Sequence, residues 1–310
     1  MAMEVSSDRW IKCISTQGNI RGVAIQATEL VQQMAERHQL KGQAVQGLGE
    51  AVVGALLIAS YCKAGQRINL NIQGSGPFKQ ALVDAHPDGT VRGYIIERGE
   101  PQAPGAPLGE DFGPWGEGLL SVLRTREGDE VAAKPYIGTV PLLTGHLAKD
   151  LSFYWVQSEQ IPSAVGLAVN MEGDRVSSAG GFLVQALPGA SALDVRVLEH
   201  HISEIQSLAK SIAENSSPMH LLSQIFQSTA FVVVEEKPVQ FQCNCSWERV
   251  QRALVLVGVP ELEAILVEDK SAIVKCDFCS TEYRMDEGEL RGLILRLKEA
   301  SASGVDEVSD

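Results

Sequence analysis

The residues best suited to chemistry in this 310-residue chain are four cysteines near its C-terminus, Cys243 and Cys245 in FQCNCS and Cys276 and Cys279 in VKCDFCS. One residue separates the first pair and two the second, and thirty residues (Ser246 to Lys275) lie between the pairs. Four thiolates in this pattern suit one tetrahedral zinc ion, each sulfur at about 2.3 Å and no coordination position left open. No histidine follows His220, so the usual ligands of a catalytic, water-bearing zinc are missing, and no HxE precedes the CxxC as a zinc deaminase requires. Catalysis is not expected. Zinc would hold each sulfur as the thiolate, which is the form that oxidants attack. Oxidation in pairs would leave no thiolate for the metal, and the folding free energy it supplied would be lost. A CxC disulfide closes a very small ring, so it should be strained and easily reduced. The cluster therefore reads as a zinc site that doubles as a reversible redox sensor.

The elements that must position these sulfurs are short. Between the pairs, Trp247, Val250, Leu254 and Val257 mark one helical stripe; Pro260 opens a second with Leu262, Ile265 and Leu266. Ala272–Val274 and Thr281–Arg284 flank CDFC as strand-like segments, a zinc-knuckle arrangement. A C-terminal domain over 231–300 offers only about seventy residues of core, too few for comfort without a staple. Its cysteines have acidic or neutral neighbours (Asp277, Glu248, Glu282), so a metal-free cluster of thiolates should repel itself and expand the domain.

Upstream, residues 1–187 predict one α+β domain with a largely antiparallel sheet and packed helices. An apolar stretch around Trp10–Ile14 precedes a helix from Thr28 with Leu30, Val31, Met34 and Ala35 on one face. A more buried helix spans about Gln43–Lys63, its small residues Ala51, Gly54 and Ala55 suited to close packing. From Arg67 the period falls to two, and strands are expected at Ile68–Gln73, Ala81–Ala85, Val91–Glu97, Leu119–Thr125, Ala132–Val140, Ala164–Asn170 and Val176–Ala186. Gly74–Pro77, His86–Gly89 and Glu172–Asp174 supply turns, and 99–118 a Gly- and Pro-rich loop. Thr144 is expected to cap a helix to Glu159 with Leu147, Leu151, Tyr154 and Trp155 on one face.

Residues 188–230 form a helical connector. One helix is expected from Ser191 to Asn215, with Ser191 and Asp194 as a capping box, followed by a shorter one through Leu221, Leu222, Ile225 and Phe226. Leu198, Ile202, Ile205, Ala209 and Ile212 make a narrow apolar stripe that a two-helix segment cannot bury alone. The adjacent His200 and His201 point about 100° apart, which argues against a shared ion. Phe231–Val234 reads as a short strand, Glu235–Pro238 as a hinge-like break into the cysteine domain, and 301–310 as a disordered acidic tail. Cys13 and Cys62 lack metal-ligand spacing and read as plain buried thiols.

A net charge of −13 argues against binding bare nucleic acid or anionic membrane. No apolar h-region precedes the charges of MAMEVSSDRWIKCIST, so no signal peptide is expected, and the longest uncharged apolar stretch, Ala51–Cys62, falls short of the roughly 20 residues that cross a bilayer. A cytoplasmic location is expected, where clustered cysteines more often mean metal or redox work than structural disulfides.

Together with the cysteines, three stretches carry a resemblance: GSGPFKQALVDAHPDGTVRGY (74–94), GHLAKDLSFYWVQSEQIPSAV (145–165) and AGGFLVQALPGA (179–190). The chain resembles the bacterial redox-regulated 33-kDa heat-shock chaperones (the 33-kDa chaperonin family) over essentially its full length. That resemblance implies an ATP-independent holdase, inactive when reduced and zinc-bound. It further implies Cys243–Cys245 and Cys276–Cys279 disulfides on oxidation, zinc loss, unfolding of the C-terminal domain and connector, exposure of surfaces that bind unfolding client proteins, and an active homodimer. Two other readings fit less well. A nucleic-acid-binding zinc ribbon needs a basic face, yet residues 241–310 hold fourteen Asp and Glu against eight Lys and Arg. A thiol–disulfide oxidoreductase needs its CxxC at a helix N-terminus in a βαβ setting.

Overall fold

Alternation of apolar and polar residues over much of the first 240 positions resolves into two antiparallel sheets. The structure, a computed structural model, describes residues 7–17, 19–99, 112–126, 136–205, 207–215 and 217–303. It divides into two units, Met1–Gln242 and Cys243–Asp310.

The first unit begins with β1 (Arg9–Ser15) and β2 (Ile20–Gln26), then α1 (Thr28–His38) and α2 (Gln43–Ala59). A meander follows: β3 (Gln66–Gly74), β4 (Phe78–Ala85), β5 (Thr90–Glu97), β6 (Gly118–Arg126) and β7 (Tyr136–Leu142). After α3 (Leu147–Gln157) come β8 (Ser163–Glu172) and β9 (Arg175–Ala186), the helices α4 (Ala192–Glu204), α5 (Leu208–Glu214) and α6 (Pro218–Phe226), and finally β10 (Phe231–Pro238) and β11 (Gln240–Phe241). One sheet has the order β10-β1-β2-β9-β8, the other β11-β5-β4-β3-β6-β7. All neighbours are antiparallel except β11 beside β5. The expected α+β class with a largely antiparallel sheet is what the chain adopts.

The main core joins α1, α2 and α3 to the inner faces of both sheets. Helix α2 is buried along nearly its whole length. A Cβ at Gly47 would come within 2.8 Å of Phe78, and one at Gly54 within 2.8 Å of Leu151, so glycine at these two points is what lets the helix sit this close. The five-stranded sheet is apolar on its other face as well. There Ile11, Cys13, Ile20, Ala24, Ala168, Phe182 and Val184 pack under α4, α5 and α6. Strands covered on both sides read as near-continuous apolar runs, as β2 and β9 do.

Several expectations are corrected. The helix expected from Thr144 starts at Leu147, and Thr144 does not cap it. Buried Asp150 gathers that corner instead, its Oδ1 accepting from the N–H of Leu143 and Thr144 and from the Thr144 hydroxyl. The single helix expected over Ser191–Asn215 is broken: α4 ends at Glu204, and Ser207 caps α5 by accepting from the Lys210 N–H at 3.2 Å. A serine that competes for backbone hydrogen bonds favours a new N-cap over helix continuation. Ser191 does cap α4, accepting from the Asp194 N–H. Glu235–Pro238 is not a break into a separate domain. It continues β10, paired along β1 with Trp10 opposite Lys237 and Lys12 opposite Glu235. The charges there are matched, Glu235 taking Trp10 Nε1–H at 2.9 Å and Lys12 at 3.3 Å, and Glu236 taking Arg9 at 2.8 Å. Residues 231–242 thus belong to the first unit. Most of the loop expected over 99–118, and the start of the strand expected at Ala132–Val140, lie outside the described residues.

The second unit consists of α7 (Trp247–Val257), α8 (Val259–Glu268), the hairpin β12 (Ala272–Lys275) and β13 (Glu282–Met285), and α9 (Glu287–Ser303). Its core is small: Val250, Leu254, Leu262, Ala272, Met285, Leu290, Leu293 and Ile294. Val257, expected in the apolar stripe, is 47% exposed, because α7 ends there at Gly258 (φ +92°). Helix α9 runs to Ser303, into the segment expected to be a tail; 304–310 lie outside the described residues.

Candidate metal centre

Each cysteine pair sits where the chain turns. Cys243 and Cys245 immediately precede α7, whose N-cap Ser246 accepts from the Arg249 N–H at 3.3 Å. Cys276 and Cys279 occupy the turn between β12 and β13, closed by Cys276 N–H to Thr281 O and Ser280 N–H to Cys276 O. Ser280 there takes a left-handed conformation, φ +58°.

These turns bring the four sulfurs within 4.8 Å of one another, the one such metal-capable group among the described residues. Cys243 Sγ lies 3.8 Å from Cys276 Sγ, and Cys245 Sγ 3.4 Å from Cys279 Sγ. Four sulfurs at about 2.3 Å from one centre lie about 3.8 Å apart, so the donor set fits a tetrahedral S₄ metal. None of the six cysteines is in a disulfide.

Two hydroxyl side chains, which sequence reasoning missed, touch these sulfurs. Tyr283 Oη donates to Cys245 Sγ at 3.0 Å, and its ring stacks on Trp247. The Thr281 hydroxyl lies 3.2 Å from Cys279 Sγ. Their spacing of two beside the CxxC was the available signal, since alternate residues of an extended segment share a side.

Without a metal, burial pushes the Cys276 thiol up to about 12 and raises Cys245. Cys279 goes the other way, to about 7: burial opposes its ionisation, but its hydrogen bonds with the Thr281 side chain and backbone and with Cys245 and Cys276 outweigh that. Cys245 and Cys276 are therefore held toward the protonated form, and a metal must displace those protons to bind. Cys13 is buried, which pushes it up to about 12, and burial raises Cys62 too. Both lie outside the cluster and are poor nucleophiles. His201 is buried with Nδ1 3.1 Å from Ile225 O, while exposed His200 Nε2 lies 3.4 Å from Glu204.

Of the residues expected in the connector stripe, Leu198 and Ile212 are buried in the apolar cluster on the outer side of the five-stranded sheet, and Ile202, Ile205 and Ala209 pack half-buried against that cluster.

A family model described as Hsp33 protein matches residues 8–286. The chain belongs to the Hsp33 chaperone family. It is 33% identical to the 33 kDa chaperonin of Geobacter sp. (strain M21), over 94% of this chain and 98% of the relative. It is 36% identical to that of Geobacter sulfurreducens, over 93% and 95%. The crystal structure of the 33 kDa chaperonin (heat shock protein 33 homolog) of Thermotoga maritima is similar at a TM-score of 0.83 and 29% identity, covering 94% of this chain and 99% of that one. Hsp33 membership extends over both units and includes the CxC and CxxC pairs. No helix among the described residues is long and apolar enough to cross a membrane.

Proposed function

We propose that this protein is a redox-regulated, ATP-independent holdase of the cytoplasm that protects unfolding proteins during oxidative and heat stress. In the reduced state Cys243, Cys245, Cys276 and Cys279 hold one zinc ion, which when bound cross-links the two halves of a unit whose own core is small. An oxidant such as peroxide takes two thiols to a disulfide and two waters in each pair, Cys243–Cys245 and Cys276–Cys279. No donor then remains for the metal. The C-terminal unit loses its staple, the connector helices leave the sheet, and both the stripe at Leu198, Ile202, Ile205, Ala209 and Ile212 and the face beneath it become available to apolar segments of clients. The active form is a homodimer.

The observation that carries this reading is the packing of the connector. The helices α4 to α6 cover an apolar sheet face of the kind that, once bared, marks a binding surface. The S₄ geometry in a unit with so small a core supplies the trigger.

The test follows light scattering of a heat-aggregating client in the presence of the reduced and then the peroxide-treated protein, while a chromogenic chelator reports zinc. Suppression confined to the oxidised protein, with one zinc released per chain, is expected. Equal activity in both states, or zinc retained after both disulfides form, would refute the switch.

A further inference from the structure

Resting on the redox reading above, we propose that Tyr283 is a positioning residue that sets how readily the cluster is oxidised, through its hydrogen bond to Cys245. Its hydroxyl lies 3.0 Å from Cys245 Sγ although 38 positions separate the two residues. Its ring stacks on Trp247, centroids 6.2 Å apart and planes at 23°. Trp247 opens α7 two residues after Cys245, while Tyr283 lies on β13 four residues after Cys279. One side chain therefore joins the two cysteine-bearing segments independently of any metal. The contact in the other pair runs the opposite way, the Cys279 thiol donating to Thr281 Oγ1 at 3.2 Å.

The chemistry gives such a contact a direction. A thiolate of Cys245 attacks one oxygen of a peroxide; the S–O bond forms as the O–O bond breaks, leaving sulfenic acid and hydroxide. A second cysteine sulfur then attacks the sulfenic sulfur, forming the S–S bond and expelling the oxygen, so that two thiols and one hydrogen peroxide become one disulfide and two waters. A hydrogen bond to the thiolate is strongest while the sulfur carries full negative charge, and it weakens as that charge moves to the departing oxygen. The donor thus stabilises the starting state more than the transition state and slows attack, an effect that lowers nucleophilicity as a lower thiol pKa does. Tyr283→Phe keeps the ring and its stack on Trp247 and removes only the donor.

The experiment compares zinc-loaded, reduced, full-length wild type and Tyr283→Phe in hydrogen peroxide at neutral pH. Isotope-coded alkylation and mass spectrometry follow each cysteine separately. Zinc release and urea unfolding of the reduced proteins are measured in parallel. The expected result is that Cys245 is oxidised about three- to tenfold faster in the variant, as when roughly half the strength of a charge-assisted hydrogen bond is gone by the transition state. Its rate relative to those of Cys276 and Cys279 should also rise. An unchanged rate at Cys245, or equal acceleration of all four cysteines as general loosening would give, overturns the role of Tyr283. Wild-type oxidation and zinc loss without any gain in client holding overturns the chaperone reading while leaving the role of Tyr283 intact. Wild-type thiols inert to peroxide overturn both.

Discussion

Asp8 shows how a single side chain can act on an element it does not belong to. It is fully buried and accepts from the Leu30 N–H at 2.7 Å, satisfying a donor in the first turn of α1, which has no side-chain cap of its own. Burial pushes its carboxyl up to about 6, partly offset by backbone N–H groups of Leu30, Thr28 and Glu29. Because the folded pKa lies above the unfolded value of 3.8, the folded state binds the extra proton. This contribution to stability is complete below pH about 4 and is lost as pH rises through about 6, amounting to about 2–3 kcal/mol. Urea midpoints measured from pH 4 to 7 should therefore fall more steeply for wild type than for Asp8→Asn; parallel profiles would exclude the effect. The sequence pointed to the α1 helix through its 3.6 period but not to this cap, since nothing local links Asp8 to Leu30. Tyr283 was within reach through its spacing beside the CxxC, but its partner Cys245 lies 38 positions away and was not legible. The cysteines were legible, because four soft donors in two tight turns carry their chemistry in their spacing.

At the scale of elements, the connector makes the clearest prediction. Ile212 is buried between α5 and the outer sheet face, whereas Ile205, at the break between α4 and α5, is half-buried. Replacing either with glutamate forfeits roughly 1.5–3 kcal/mol of apolar burial at most and adds the cost of desolvating a charge. Ile212→Glu should suppress client aggregation partially under reducing conditions with zinc still bound, and Ile205→Glu should do so less. Light scattering combined with zinc analysis checks both, and a silent Ile212→Glu protein with its connector dislodged would disprove masking. Strand periods, the HPDG and EGD turns and the Ser191 cap were all readable, because each depends on residues a few positions apart. The break at Ile205–Ser207 was hidden by a stripe that runs on across it. The pairing of Phe231–Pro238 with β1 was hidden because charges in a strand look like a hinge until their partners, more than 200 positions away, are known.

For the molecule as a whole, metal removal and oxidation should act on different parts of the chain to different extents. Chelation of the reduced protein should unfold Cys243 onward, seen as loss of amide protection in α7 to α9, since the core there is small. In the oxidised protein, protection should fall in α4 to α6 and in the C-terminal unit. It should persist in β10, which is hydrogen-bonded along its length to β1, and at Gln240 and Gln242, whose N–H groups bond to Gly89 O and Val91 O. Exchange in β10 as fast as in α6 would contradict this boundary. The placement of β10 has a further consequence. The connector runs between β9 and β10, two strands of the same sheet, so on the proposed switch it would leave as a closed loop pinned at both ends. Its apolar stripe would then stay near the vacated face at an effective concentration on the order of millimolar. Every client would compete with that tethered segment, and once the thiols are reduced the lid would return without having to find its site by diffusion. Weakly held clients would be displaced first, so the topology itself sorts clients by affinity at the moment of release.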